Sequence, residues 1–333
     1  MKNNDFLYKS ILLPLAALVL FGSCKKDELA SKELIVYIGG DYASVSNTVT
    51  VPLVHTPVDV SGTTVVRVAA AATRAVVADV DVSIVPDTSQ VSQYNQKNGT
   101  SCVALPANTY KITNPGKHTI LSGSLVSDSM QLEITDPASL TNPNGYLLPL
   151  TITAIEGEDK GVQISTNKRT VFVNVTYAFN NIIQAETPLT GTTMSRTAWV
   201  VTVSNTTSGA LGPAMVDGNN STAWRSSNSS TAAKYVIVNM GSQKALAGFQ
   251  LVPNYVATTE NATQIAVSTS TDNVTWVAQG VWKGTGPAAG SSAASPNIKG
   301  INFIAPVTAQ YFRFDITALV SGSRVGIGEL YAL

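Results

Sequence analysis

Cysteine and histidine are scarce in this chain of 333 residues, which contains two of each. Two cysteines cannot form a disulfide framework, so the fold must be held together by packing. Both histidines, His55 and His118, lie in the first half of the chain, which leaves a serine or cysteine triad few choices of base. The motifs H-E-x-x-H and G-x-S-x-G do not occur. We therefore expect no enzymatic activity.

Charge is also sparse and balanced. Charged residues make up 13% of the chain, with 21 basic and 21 acidic side chains. The longest basic clusters are the pairs Lys25-Lys26 and Lys168-Arg169, whereas a nucleic-acid binder normally carries a basic stripe. The one dense acidic cluster, at 156–159, reads as a hairpin turn and not as the carboxylate pair of a glycosidase cleft. We expect no nucleic-acid partner.

Long apolar runs are restricted to the N-terminus. The run from Ile11 to Phe21 is too short for a stable membrane span, and Lys2 and Lys9 precede it, so residues 1–23 are predicted to be a signal peptide. The run ends L-F-G-S-C and resembles a bacterial lipobox, although Phe21 is bulkier than usual. The resemblance implies lipidation at Cys24 and a lipid anchor in a membrane.

Residues 24–32 form a predicted linker after the lipidated cysteine. The sequence K-K-D-E at 25–28 resembles the acidic export tag that sends Bacteroidota lipoproteins to the outer face of the outer membrane. A solvated linker without a targeting role is the alternative. With export, the protein faces the cell exterior.

Residues 33–178 alternate apolar and polar residues in short runs separated by turn residues, which predicts an antiparallel β-sandwich. The exception, 89–98, has the spacing of a short helix ended by Gly99. Pro149 interrupts a strand pattern and predicts an edge or a bulge. Cys102 is expected to be a small buried apolar residue.

This segment resembles the immunoglobulin-like N-terminal domain of unknown function of many Bacteroidota surface lipoproteins. The likeness is carried by Gln93-Tyr94-Asn95, by Leu105-Pro106 before Tyr110, and by G-Y-L-L-P-L-T-I from Gly145. It implies a spacer beside a glycan-binding or glycan-cleaving domain. Residues 179–190 follow as a predicted linker that stops near Pro188.

Residues 191–333 return to short alternating strands, which predicts a second β-sandwich of the jelly-roll kind and makes the whole chain all-β. The Gly-, Ala- and Ser-rich stretch at 280–300 has little to pack and predicts a mobile surface loop. Near the start of this domain, the run D-G-N-N-S-T at 217–222 crowds oxygen ligands around a glycine. Such a run can wrap a hard cation, and it is equally the chemistry of an ordinary turn.

The motifs D-G-N-N-S-T-A-W, Y-V-I-V-N-M-G, A-G-F-Q-L-V-P, Q-Y-F-R-F-D-I and V-G-I-G-E-L-Y occur in order over 191–333. Together they resemble the discoidin or coagulation factor 5/8 type C domain, with its bacterial branch, carbohydrate-binding module family 32. The resemblance implies a structural Ca²⁺ held by Ala214, Asp217, Asn219, Thr222, Gly328 and Glu329.

Recognition of a neutral sugar requires an aromatic face and a few planar hydrogen-bonding groups on loops at one end of the sandwich. The candidate ligand-binding residues are Arg225, Asn254, Tyr255, Trp224 and Trp282. For Trp224, a place in the core beneath the loop at 217–222 is an equal alternative. This domain contains no histidine, in contrast to many galactose binders of the family it resembles.

The sequence therefore predicts a lipid-anchored surface protein that captures glycans without cleaving them. Its expected partners are the terminus of a mono- or oligosaccharide, the membrane and surface glycan-uptake proteins. A protein-interaction or adhesion module is the first alternative. A divergent hydrolase and a structural subunit beside a nutrient importer are the others.

Overall fold

The computed structural model describes residues 33–39, 47–157 and 161–333, and β-strands dominate these residues. The predicted all-β class with two sandwiches is confirmed. The predicted signal peptide at 1–23, Cys24 and the predicted linker at 24–32 lie outside the described residues. Among the described residues, no helix is both long and apolar enough to cross a bilayer.

Two sheets face each other across an apolar core in the N-terminal sandwich. The strands are β1 (Ile35–Gly39), β2 (Thr48–His55), β3 (Val60–Gly62), β4 (Val65–Ala72), β5 (Val80–Pro86), β6 (Val103–Ala104), β7 (Tyr110–Thr113), β8 (Gly116–Ile120), β9 (Val126–Ile134), β10 (Tyr146–Gly157), β11 (Gln163–Ile164) and β12 (Thr170–Phe179). One sheet has the strand order β11-β1-β4-β9-β7, and the other has β3-β2-β12-β10-β5-β8, with β6 also paired to β10.

The sequence predicts an antiparallel sandwich, but the strand pairing in the structure is mixed. The strand pairs β1 and β11, β2 and β12, and β6 and β10 run parallel. Alternation along β12 buries Val171, Val173 and Val175 and turns Phe172 to the outer face. The outer face of β12 therefore carries an aromatic ring that the core does not use.

Helix α1 (Val91–Asn98) lies on this outer face and confirms the predicted helix. A single 3-10 turn, Thr88–Gln90, leads into it, and Gly99 ends it with a φ of 63°, a left-handed conformation that glycine adopts without strain. Cys102 follows and is buried, as predicted.

Pro149 lies in a central strand, so the prediction of an edge or a bulge at this position was wrong. Strand β10 is flanked by β12 on one side and by β6 and β5 on the other. Pairing with β6 ends at Leu147 and pairing with β5 begins at Leu150. Pro149 occupies the gap between them, where its missing N–H removes no bond of the ladder.

The C-terminal sandwich is one continuous sheet that folds over its own core. Its strands are β13 (Ile182–Ile183), β14 (Val200–Val203), β15 (Trp224–Arg225), β16 (Tyr235–Pro253), β17 (Ala262–Ser270), β18 (Val277–Lys283), β19 (Lys299–Leu319) and β20 (Gly326–Ala332). The strand order is β15-β20-β16-β19-β17-β18, with β13 also paired to β19 and β14 to β16. Phe249, Phe312 and Phe314 pack at the centre, with ring centroids 4.6 to 5.3 Å apart.

The segment predicted as a linker, 179–190, is hydrogen-bonded to the second sandwich from Asn181 onward. The Asn181 side chain is buried and bonds to Gln279 Oε1 at 3.0 Å and to both backbone groups of Ala305. Strand β13 follows at once, and Glu186 pairs with Lys299. On the other side, the Asn180 N–H donates to His55 O at 2.8 Å. The joint between the sandwiches is thus held on both sides.

We expect Glu186→Gln to destabilise the C-terminal sandwich by about 2 kcal/mol, because it removes the counter-charge of a buried ammonium group. Lys299 is 6% exposed and lies 2.6 Å from the Glu186 carboxylate. All four tryptophans lie after residue 190, so urea unfolding followed by tryptophan fluorescence reports this domain alone. Glu156→Gln, which breaks an exposed pair with Lys117 in the other sandwich, is the control and should leave this transition unchanged.

The loss should also depend on pH. Burial raises the pKa of Glu186, but hydrogen bonds from Lys299 and Thr285 outweigh it and hold the pKa below its usual value. The carboxylate therefore contributes stability above the pKa of the unfolded chain, and that contribution disappears as the pH falls through the lowered value. A difference between wild type and variant that grew in acid would contradict this assignment.

Candidate functional site

The loop at 217–222 folds around its own side chains. The Asp217 carboxylate accepts from the Asn219 N–H at 2.8 Å, and the Asn219 side-chain carbonyl accepts from the Ser221 N–H at 3.0 Å. Gly218 has a φ of 84°, which favours glycine at this turn. A single 3-10 turn, Gly212–Met215, precedes the loop and presents Ala214 to it.

Glu329 reaches this loop from β20, more than 100 residues later in the chain. Its Oε1 atom accepts from the N–H groups of Gly218 and Asn219 at 2.7 and 3.0 Å. Its Oε2 atom pairs with the Arg196 guanidinium, which lies over the Tyr331 ring at 4.0 Å from the centroid. The structure thus brings Asp217, Asn219 and Glu329 together at one place.

Thr222 lies at the centre of the oxygen cluster. Its hydroxyl is 2.8 Å from Asp217 Oδ2, 2.8 Å from Asn219 O and 3.4 Å from Ala214 O. A hydroxyl carries a single proton, so at most one of the three contacts is a full hydrogen bond donated by Thr222. The other contacts set oxygen against oxygen, an arrangement that a hard cation would relieve.

The two carboxyl groups influence one another. Burial raises the pKa of Glu329, the Arg196 guanidinium opposes this increase, and the neighbouring Asp217 adds to it. Burial alone would raise the pKa of Asp217 too, but the neighbouring Glu329 and the hydrogen bonds from Thr222 and Asn219 lower it. Within the described residues there is no group of three or more His, Cys, Asp or Glu side chains suited to a metal, so any ion here would depend on neutral oxygens. Gly328 immediately precedes Glu329 on β20.

Trp224 and Trp282 are core residues, so Trp224 takes the core place that the sequence offered as the alternative, and the assignment of Trp282 to ligand binding was wrong. Their side chains are 0% and 1% exposed. The Trp224 indole donates to Asn205 O at 3.0 Å, and Trp282 on β18 pairs with Ile265 in the sheet. A fully buried ring cannot stack against a sugar.

Asn254 is also buried and organises its loop instead of facing solvent, which corrects its assignment. Its side-chain carbonyl accepts from the N–H groups of Val256 and Ala257 at 2.9 and 3.3 Å. Tyr255 remains partly exposed, and its hydroxyl accepts from the Asn297 N–H at 2.7 Å. Of the predicted aromatic contacts, only the Tyr255 ring is accessible.

Arg225 lies at the end of the C-terminal sandwich that carries the loop at 217–222, which we call the rim. It is held there by Glu260, a residue that the sequence analysis did not single out. Its Nε and Nη2 atoms donate to the two Glu260 oxygens, each at 2.7 Å. These hydrogen bonds raise the pKa of Arg225. Arg324 approaches the same carboxylate at 3.6 Å. Two guanidinium groups thus share one carboxylate at this end of the sandwich.

A cleft of about 160 Å³ opens beside this charged cluster. Arg324 Nε is buried and has no hydrogen-bond partner among the described residues. Ser323 donates to Asn228 Oδ1 at 2.5 Å. The side chains that line the cleft come from three separate loops and are Asn228, Thr259, Glu260, Ser321, Ser323 and Arg324. No periodic sequence pattern marks them, because each lies in a loop.

The loop at 284–298, within the stretch predicted to be mobile, is attached to both neighbouring loops. Ala293 O accepts from the side chain of Asn220, in the loop at 217–222, at 3.2 Å, and the Asn297 N–H donates to the Tyr255 hydroxyl. The first residues of the loop at 284–298 are held by Glu186, which accepts from the Thr285 hydroxyl at 3.0 Å. The loop at 284–298 therefore connects the loop at 217–222 with Tyr255.

Solved structures with the same fold include a two-domain protein of unknown function from Bacteroides fragilis. It is 18% identical, with a TM-score of 0.59 over 90% of this chain and 94% of that chain. A family 32 module of Clostridium perfringens NanJ in complex with galactose is 19% identical over 42% of this chain and 97% of its own, with a TM-score of 0.36. A C. perfringens module in complex with GalNAc-β-1,3-galactose is 15% identical over 43% of this chain and 99% of its own, with a TM-score of 0.38.

No curated protein matches the chain. Two family models do match, each over part of the chain. Residues 30–159 match a family described as an N-terminal domain, and residues 200–330 match the F5/8 type C domain. The discoidin-type resemblance predicted from the five motifs is confirmed, because residues 200–330 of the C-terminal sandwich match the F5/8 type C domain.

Proposed function

We propose that the protein captures glycans at the cell surface through its F5/8 type C domain without cleaving them. The observation that carries the proposal is the cleft at the rim of this domain, where a guanidinium, a carboxylate and a carboxamide converge from three loops. Planar groups of this kind read the hydroxyls of a sugar with defined geometry.

The assignment of roles follows from the contacts. Glu260 is fixed by Arg225, so it can accept hydrogen bonds from sugar hydroxyls without first becoming ordered. Arg324 has a free Nε–H among the described residues, and a ligand hydroxyl that drew the side chain outward would give it an acceptor. The partly exposed ring of Tyr255 is the remaining aromatic surface at this end.

We further propose that a structural Ca²⁺ ion orders the rim. Its ligands would be Ala214 O, Asp217, Asn219 O, Thr222, Gly328 O and Glu329, and what supports this is the crowding of oxygens around the single Thr222 proton. Bound Ca²⁺ would supply positive charge to these oxygens and nothing to a chemical reaction. Arg196 already neutralises part of the Glu329 charge. The chain therefore holds Glu329 in place before any ion binds.

The surface location is a proposal as well. The signal peptide at 1–23, the lipidated Cys24 and the acidic residues Asp27 and Glu28 would place the protein on the outer membrane, facing the cell exterior. Many anchored copies would raise the effective concentration of a weak sugar site. Surface glycan-uptake proteins are the expected neighbours.

The glycan proposal predicts binding on a glycan array that depends on Arg324. We expect Arg324→Gln to weaken binding about tenfold or more, because a charged hydrogen-bond donor is lost. Arg313→Gln is the matched control, since Arg313 is ion-paired to Asp315 on β19 outside the cleft. An array without signal for the wild type, or equal losses in the two variants, would contradict glycan capture.

Addition of Ca²⁺ to chelator-treated protein should raise the melting temperature of the C-terminal domain. A hundredfold excess over Kd corresponds to about 2.7 kcal/mol of added stability. Asp217→Asn and Thr222→Val should abolish this increase. Asp272→Asn removes the charge of a carboxylate in a similar turn of the same domain, where Asp272 Oδ1 accepts from the N–H groups of Val274 and Thr275, and this variant should retain the increase. A melting temperature that millimolar Ca²⁺ does not change would contradict the Ca²⁺ site and leave the Arg196 guanidinium as the positive group beside this loop.

Cys24→Ala should move the protein from the membrane fraction to the soluble fraction, because it removes the acylated residue. The measurement is metabolic labelling with a palmitate analogue followed by fractionation of cells. Cys102→Ala, at the buried cysteine, is the control and should stay labelled and in the membrane fraction. Label retained by the Cys24 variant would contradict the anchor.

A further inference from the structure

A groove of about 750 Å³ lies on the outer face of the N-terminal sandwich, far larger than the cleft at the rim of the other domain. Ligand-binding pockets in proteins commonly have volumes of about 300 to 1,000 Å³. Helix α1 forms one wall, and the start of β12, with residues just before it, forms the other. The family resemblance gave this domain no ligand, and nothing in the F5/8 type C domain accounts for the groove.

The helix that walls the groove contributes no buried residue to the core. Its Tyr94 instead packs on Phe172, with ring centroids 4.8 Å apart and planes inclined by 43°. Both rings are partly exposed and line the groove. The pair therefore presents apolar ring surface to the groove, the kind of surface on which the C–H face of a sugar ring packs.

Hydrogen-bonding groups of neutral side chains surround these rings. Gln93, Asn98, Asn167 and Thr166 line the groove and are exposed. A dense set of amides and hydroxyls beside an aromatic surface matches the alternating donors and acceptors of a saccharide. An apolar peptide segment would leave these groups without partners.

The charge of the groove has one sign. Lys97 and Arg169 line it, and no Asp or Glu is among its lining residues. Arg169 is oriented by its Nε atom, which donates to Ile152 O at 2.8 Å. No carboxylate lies within 4 Å of the Lys97 ammonium in the part of the chain that the structure describes. The nearby Asp87 accepts from the Ser89 hydroxyl and the Gln90 side-chain amide at 2.5 and 2.8 Å, and these bonds, together with the charge of Arg169, hold its pKa below the usual value. Part of the Arg169 charge is therefore balanced, and Lys97 is the cation without a carboxylate beside it among the described residues.

Two cations among neutral amides favour a ligand that carries a few negative charges and many hydroxyls. Nucleic acid would require a longer basic track than two residues, and the whole chain has no net charge. An extended peptide would require a free sheet edge or apolar side-chain pockets, whereas this groove lies on the face of a sheet. We propose that the groove between α1 and β12 binds an acidic saccharide, with a carboxylate or sulfate beside Lys97 and Arg169 and a ring on Tyr94.

Isothermal titration of the full chain tests this with acidic oligosaccharides and their neutral counterparts. Suitable probes are tri-galacturonate with its methyl ester, sialyllactose with lactose, and sulfated lactose with lactose. We expect at least one acidic member to bind and its neutral counterpart to bind at least several-fold more weakly. Lys97→Gln should weaken the acidic ligand about tenfold, since a charged hydrogen bond is lost.

Matched variants separate this groove from other surfaces. Lys111→Gln replaces an exposed lysine on β7 of the opposite sheet, and Arg324→Gln disables the cleft of the other domain; both should leave the affinity unchanged. Tyr94→Leu retains apolar packing on Phe172 without the ring and should weaken binding, with a melting curve as a check on folding.

Three results would overturn the proposal. They are the absence of heat with every acidic probe, equal affinity of the Arg324→Gln variant for an acidic sugar and its neutral counterpart, and loss of binding in the Arg324 variant but not in the Lys97 variant. The Arg324→Gln variant removes the contribution of the cleft in the F5/8 type C domain, so failure here and failure there are distinguishable.

Discussion

The rim of the C-terminal domain depends on the hydrogen bonds and the ion pair that the buried Glu329 carboxylate makes. A carboxylate with no exposed surface is costly unless donors surround it, and here two backbone N–H groups and the Arg196 guanidinium do so. The donors come from Arg196 and from the adjacent residues Gly218 and Asn219, so a single side chain joins two distant parts of the domain to its last strand. The loop at 217–222 can hold its oxygens close together because this carboxylate fixes its backbone.

The consequences extend along the chain from that loop to β15. Adjacent residues on a strand point to opposite faces, so burial of Trp224 directs Arg225 outward to Glu260. Glu260 then meets Arg324, and the charged cluster of the cleft results. The loop at 284–298 joins the loop at 217–222 to Tyr255 on the other side. A change in the loop at 217–222 would therefore reach Arg225 and Tyr255 through packing and hydrogen bonds alone.

The two sandwiches are joined by residues that take part in both. Asn180 donates to His55 O, and the next residue, Asn181, is buried against β18 and β19. A joint of this kind limits the freedom of one domain relative to the other. A cleft on one sandwich and a groove on the other would then present two sugars of one polymer at a defined separation, which strengthens capture when both are engaged.

The sequence by itself determined the all-β class, the short helix before Gly99, the burial of Cys102 and the loop at 217–222, because these depend on periodicity, turn residues and local oxygen content. It could not assign Trp224, Trp282 and Asn254 to the core or the loop interior, since an aromatic or amide residue at a strand end has the same local pattern in either place. Only the tertiary structure brought Arg196 to Glu329 and Glu260 between Arg225 and Arg324. Those contacts join residues between 35 and 133 positions apart, and the pairing of distant strands, not any local pattern, decides which of them meet.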